Sequence, residues 1–160
     1  MKYLRYIFWT LLTVITGCSV VVEEGNDASE SNTITFENVF PNSLIDANTY
    51  LLGGGNRTWT TVAFTIEGVN GFQNCRLDDE IRLNEDNTYA YDGGTMLCGA
   101  EDNQKIKSGT WEIDAPSRTL TFDKGLDHES IMYIESLTSE EIVVSSHYYS
   151  WKVVGKFTHD

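Results

Sequence analysis

The sequence predicts an all-β protein: an eight-stranded antiparallel up-and-down barrel preceded by a short N-terminal helix. Three observations predict it. Short runs rich in Thr, Val, Ile, Tyr and Trp alternate with turn residues from Arg57 to the end of the chain. Several runs alternate apolar and polar residues with period two. No helical pattern of about 10–15 residues separates them, which excludes parallel βαβ units.

The elements follow in order. Thr33 to Phe36 alternates threonine with apolar residues and is expected to form a short strand. Ser43 to Leu52 fits a short helix, capped by Ser43 or Asp46 and stopped by Gly53-Gly54-Gly55. The eight barrel strands are expected at Thr58–Glu67, Asp79–Asn84, Thr88–Asp92, Ile106–Ile113, Arg118–Asp123, Ser130–Ser136, Glu141–His147 and Ser150–Thr158. Asn84-Glu85-Asp86-Asn87 and Asp114-Ala115-Pro116-Ser117 carry turn chemistry between neighbouring strands. Ile81 and Leu83 share one face, opposite Glu80 and Arg82. Trp111 and Ile113 alternate with Thr110 and Glu112. Trp151, Val153, Gly155 and Phe157 alternate with Lys152, Val154 and Lys156. One buried and one wet face suits an antiparallel sheet. Closing it removes exposed edges, and short hairpins favour a meander over a sandwich with long crossovers.

The first residues read differently. Lys2 and Arg5 precede a mostly apolar stretch from Ile7 to Ile15. It falls short of the roughly 20 apolar residues that span a bilayer, and its flanks are those of a signal peptide. Ile15-Thr16-Gly17-Cys18 resembles the lipobox of bacterial lipoproteins. That resemblance implies cleavage after residue 17 and lipid on Cys18. Each buried methylene contributes about 0.8 kcal/mol, and about two acyl chains give stable anchoring. The expected organisation is a signal peptide at 1–17, a flexible acidic tether at 18–32 and a barrel domain at 33–160. Ser19 to Asn32 is acidic and lacks aromatics, so it cannot bury a core. Ser19 also lacks the aspartate that retains many lipoproteins in the inner membrane. The outer membrane is therefore expected, with the domain facing the periplasm or, if Glu23-Glu24 act in export, the cell surface.

Charge and cysteine count bound the chemistry. The chain carries a net charge of −13, which becomes −15 once Lys2 and Arg5 leave with the signal segment. Phosphate would repel so acidic a chain, so no nucleic-acid partner is expected. Of three cysteines, lipidation of Cys18 leaves Cys75 and Cys98. A hairpin register that sets Leu83 opposite Tyr89 and Ile81 opposite Tyr91 carries Cys75 to within one residue of Cys98. In an oxidising compartment these two would form a bridge worth about 3 kcal/mol; the alternative is two buried free thiols.

A family resemblance accompanies this register. Cys75-x-Leu77-Asp78-Asp79, Asn87-Thr88-Tyr89-x-Tyr91-Asp92-x-Gly94, Cys98, Gly109-Thr110-Trp111, Leu120-Thr121-Phe122 and Ile134-x-x-Leu137-Thr138 follow in order, with Trp59 near the first strand. The stretch from Leu51 to Phe157 resembles the lipocalin-like domain of Gram-negative bacterial lipoproteins. The chain departs from lipocalins proper: Asn56-Arg57-Thr58 separates Gly55 from Trp59, where those have Gly-x-Trp, and its strands are shorter. The resemblance thus implies the fold more strongly than an open cavity.

Candidate functional residues are few. Trp59, Tyr89, Tyr91, Trp111, Tyr133 and Trp151 would form an apolar pocket if they point into one barrel mouth, suited to a small apolar molecule or a glycan. Tyr148-Tyr149-Ser150-Trp151 marks a tight turn where both tyrosines cannot face inward. The rival is a filled barrel that contacts an envelope protein. Asp78-Asp79-Glu80 and Asn84–Asn87 read as solvated loop charge and lack an EF-hand pattern. His128, His147 and His159 show no metal-ligand spacing, so no metal site is expected. The chain has no Gly-x-Ser-x-Gly elbow and no P-loop. Neither catalytic residues nor a cofactor is expected, and the protein reads as a binding module rather than an enzyme.

Overall fold

A computed structural model describes residues 34–69, 75–96 and 106–159. The expected signal peptide, Cys18, the tether, Thr33 and Cys98 lie outside the described residues. A helix, α1 (Leu44–Leu52), precedes eight strands: β1 (Arg57–Ile66), β2 (Glu80–Leu83), β3 (Thr88–Asp92), β4 (Ile106–Asp114), β5 (Thr119–Phe122), β6 (Ser130–Leu137), β7 (Glu141–Tyr148) and β8 (Trp151–Thr158). They form a closed antiparallel barrel in sequence order, as expected.

β1 closes the barrel by pairing twice. Its first residues pair with β2, from Arg57↔Leu83 to Thr60↔Glu80. Its later residues pair with β8, from Thr60↔Thr158 to Ile66↔Val153, with a bulge between Thr61 and Ala63. The bulge changes which residues face inward. Before it, Trp59 and Thr61 line the interior; after it, Phe64 and Ile66 do.

The helix closes one end. Ser43 caps it in extended backbone and accepts a bond from Asp46 N–H. Gly53 ends it at φ 66°, its N–H donating to Thr49 O. The left-handed backbone calls for glycine there, and a side chain at this position would displace the Arg57 guanidinium. Arg57 donates to Tyr50 O at 2.7 Å and to Ser139 O at 2.8 Å, tying the helix end to the β6–β7 turn. Trp59 Nε1–H donates to Leu51 O at 3.0 Å. Ala47 and Leu51 are fully buried as the floor of the barrel.

The hairpin register agrees with the expectation: Leu83 pairs with Tyr89 and Ile81 with Tyr91. Asn87 takes φ 61° in the connecting turn, and Asp86 accepts from Thr88 N–H and its hydroxyl. Strand ends move by about one residue where the backbone turns left-handed: Glu67 (φ 53°) ends β1, while Arg118 (φ 55°) and Asp123 (φ 53°) bracket β5.

One expected element is absent. Ile34 to Phe36 form no strand. Ile34 and Phe36 instead flank Thr65 and Val154 outside the barrel. β1 and β8 already pair on both sides, so a closed barrel offers this segment no edge. Further along, Val39 O accepts a bond from Leu137 N–H as the chain descends to the floor.

Candidate functional site

The interior narrows from mouth to floor. Near the floor, a chamber of about 110 Å³ has a mostly apolar wall, with Trp59, Leu83, Leu120, Phe122 and Phe157 among its residues, and is also bordered by Thr61, Asp79 and Glu80. Two wider recesses lie towards the mouth. One, of about 570 Å³, is lined by Tyr89, Tyr91, Lys107, Asp123 and His128. The other, of about 600 Å³, is lined by Phe64, Ile66, Arg76, Tyr148 and Trp151. Ser130 borders both recesses. Ile81, Tyr91, Phe122 and Met132 border both the chamber and the first recess, so these two share a wall.

Two buried carboxylates organise this space. Asp123, at the end of β5, is 4 % exposed. Its Oδ2 accepts from the Tyr89 hydroxyl at 2.7 Å, and its Oδ1 from Thr110 N–H at 3.0 Å. His128 Nε2 stands 3.3 Å from Oδ2. The Tyr89 bond, with help from Thr110 and His128, holds the Asp123 carboxyl below its ordinary range against the opposing effect of burial. Burial, then the Asp123 bond and charge, pushes Tyr89 up to about 12. Gly109 makes the arrangement fit: a Cβ there would lie 1.9 Å from Asp123 Oδ1 and 2.8 Å from the Tyr89 ring.

Asp79, just before β2, is 5 % exposed. Its Oδ2 accepts from Tyr91 Oη–H at 2.7 Å and from Arg76 Nη1 at 3.2 Å. Arg76 Nη1 also donates to Tyr91 Oη at 3.0 Å. Burial raises the Asp79 carboxyl above its ordinary value, outweighing the Tyr91 and Arg76 bonds that lower it. Burial and then Asp79 raise the Tyr91 phenol as well. Lys107 Nζ lies 5.7 Å above the Tyr91 ring, a cation–π contact.

The reading of Asp78-Asp79-Glu80 as solvated charge is therefore corrected at Asp79. Period-two alternation puts residue 79 in phase with Ile81 and Leu83, on the inward face. Asp78 is also engaged: its Oδ2 accepts from Thr95 N–H at 2.6 Å, Thr95 Oγ1 at 2.9 Å and Met96 N–H at 3.3 Å.

The six aromatic candidates separate. Trp59 and Tyr91 line the chamber, Tyr89 and Tyr91 the first recess, and Trp151 the second. Trp111 is buried, its Nε1–H donating to Asn84 O at 3.2 Å, and borders none of these cavities. Tyr133 also borders none of them and is 41 % exposed. Tyr149 takes φ 56° and is 88 % exposed, and Tyr148 is exposed as well, so the tight turn leaves neither tyrosine buried. Cys75 stands three residues before Asp78. Sequence reasoning missed Asp79, Asp123, Arg76, Lys107 and Met132 as lining residues. Among the described residues no group of three or more His, Cys, Asp or Glu side chains could hold a metal ion.

Comparison with known families bears on this geometry. The profile of the lipocalin-like domain matches residues 51–144. The chain belongs to the lipocalin-like family. Searches among curated proteins and among solved structures return no match. In this lipocalin-like barrel the matched stretch runs from α1 into β7, and β8 completes the closure beyond it.

The Asp123 network has a pH signature. A carboxyl held below its ordinary value stabilises the fold when ionised. That contribution is complete above the unfolded value of about 3.9 and is lost as pH falls through the lower folded value. Asp123→Asn is expected to lower stability by about 2 kcal/mol at pH 7, read by urea unfolding. The deficit should persist at pH 5 and shrink towards pH 2. A deficit that does not change with pH would contradict the assignment.

Proposed function

We propose that the protein is a lipid-anchored lipoprotein of the outer membrane whose barrel binds a small, largely apolar molecule or a glycan fragment. The observation that carries the binding reading is the shared wall of Ile81, Tyr91, Phe122 and Met132 between a largely apolar chamber and a wider recess. Ligand sites usually occupy about 300–1,000 Å³. The chamber alone is smaller than that, so a ligand would seat one apolar end there and extend past Tyr91 into the recess. The phenols, Lys107 and His128 around the recess offer polar handles for the remainder.

Mass action supplies the test. Purified protein without its lipid would be examined by native mass spectrometry and by thermal shift against lipids, haem and glycans. A co-purifying small molecule, or a ligand that raises the melting temperature, is expected. Absence of both would contradict ligand binding. It would favour the second reading, a protein-interaction module. Exposed Val69, Met96, Leu126, Tyr148, Tyr149 and Trp151, spread over the four strand connections at the mouth end, support that reading.

The anchor rests on the lipobox-like Ile15-Thr16-Gly17-Cys18, and the outer-membrane location on Ser19 after it. The proposed Cys75–Cys98 bridge draws support from Asp78, which ties the segment after Cys75 to Thr95 and Met96, two residues short of Cys98 in sequence. Intact-mass measurement on protein extracted from membranes tests both. The expected mass is that of a chain starting at Cys18, plus acyl lipid, less two hydrogens for the bridge. An unmodified Cys18, or two thiols that alkylate without reduction, would contradict the corresponding part.

A further inference from the structure

We infer that the chamber is selective for an uncharged molecule carrying a hydroxyl or neutral N–H donor next to a compact apolar end, with Asp79 as the acceptor. The inference rests on the binding reading above and adds the chemistry of the ligand.

Three observations lead to it. Asp79 borders the chamber and is buried, whereas Glu80, the other acidic residue bordering it, is exposed, and most of the remaining wall is apolar. Only its Oδ2 is engaged, by Tyr91 and Arg76. Its Oδ1 is buried and has no hydrogen-bond partner among the described residues. A buried acceptor left without a donor costs about 1–3 kcal/mol, more when charged, so native folds rarely keep one without a use. The chamber surface itself is almost wholly apolar, so a ligand donor reaches Oδ1 only with a small adjustment of the Asp79 side chain, and then removes that cost.

Charge decides which donor. Arg76 already stands 3.2 Å from the Asp79 carboxylate and compensates it. An incoming ammonium would meet the Arg76 guanidinium and would lose its hydration in an apolar chamber. A hydroxyl satisfies Oδ1 without either cost. The apolar end then lies against Trp59, Leu83 and Phe157, where a body of a few carbon atoms fills about 110 Å³.

Three probes of similar size separate the possibilities: 1-pentanol, its isomer butyl methyl ether, and n-pentylammonium. The ether keeps the apolar bulk and lacks a donor. Each would be titrated into the folded wild-type domain, with the Trp59 indole N–H followed by NMR. A saturable shift with 1-pentanol on the order of tenfold tighter than with the ether is expected, because a hydrogen bond to a charged group contributes about that factor. Pentylammonium is expected to bind more weakly than 1-pentanol. In Asp79→Asn, where Tyr91 and Arg76 hold the amide oxygen at the Oδ2 position and the amide nitrogen replaces Oδ1, the preference for the alcohol over the ether should disappear, because both oxygens can accept from that nitrogen. The wild-type comparison stands if that variant fails to fold. Equal binding of alcohol and ether by the wild-type domain would overturn the inference and leave a non-selective apolar site. Tighter binding of the ammonium would overturn the neutral-donor assignment. No saturable shift with any probe would overturn the binding reading itself.

Discussion

The structure depends on one strand serving two neighbours. β1 gives its first four residues to β2 and its later ones to β8, and the bulge between Thr61 and Ala63 lets it do both. Without this exchange the sheet would have two free edges. With it, every barrel strand is paired on both sides and the inward residues enclose a common interior. The same closure explains why the segment from Ile34 lies across the outside rather than joining as a ninth strand. It also gives α1 its role. A closed barrel still has two open ends, and Leu51, Trp59 and Arg57 fasten the helix across one of them.

Closing one end leaves polarity graded along the axis. Apolar side chains dominate near the floor, where water would find few partners. Buried carboxylates stand where the strands end, beyond the regular ladder. Asp123 follows β5 and Asp79 precedes β2, and each takes a tyrosine from β3 as its partner. β3 thus presents Tyr89 and Tyr91 inward at successive levels, and two ionic networks grow from one strand. Asp123 is fully engaged, and the exchange of bonds holds its carboxyl low. Asp79 is half engaged, and burial wins there. This difference separates a structural carboxylate from one available to a ligand.

Much of the fold was legible in the sequence because strand periodicity and turn residues are local signals. The eight strands, the Ser43 cap, the Gly53 stop and the β2–β3 register all follow from residues within a few positions of one another. The family resemblance agreed with them. The site was less legible, for a physical reason. An inward aromatic and an outward one have the same local sequence, and only the closed barrel assigns them. Trp59, Tyr89, Tyr91 and Trp151 reached the interior spaces. Trp111 was taken by the hairpin turn, and Tyr133 fell in the outward phase of β6. Asp79 was hidden for the opposite reason: a run of three acids looks solvated, although its alternation with Ile81 and Leu83 marked one of them as inward. Asp123 required knowledge that Gly109, on the neighbouring strand, leaves it room.

Native-state hydrogen exchange tests the closure most directly. Amides that open only with global unfolding mark fully paired strands, whereas edge strands exchange by local fraying. In a closed barrel, β1 and β8 amides in the Thr60–Ile66 and Val153–Thr158 ladder are expected to exchange as slowly as those shared by β6 and β7. Exchange in β1 and β8 faster by orders of magnitude would mean an open sheet, and would contradict the enclosed interior on which the site depends.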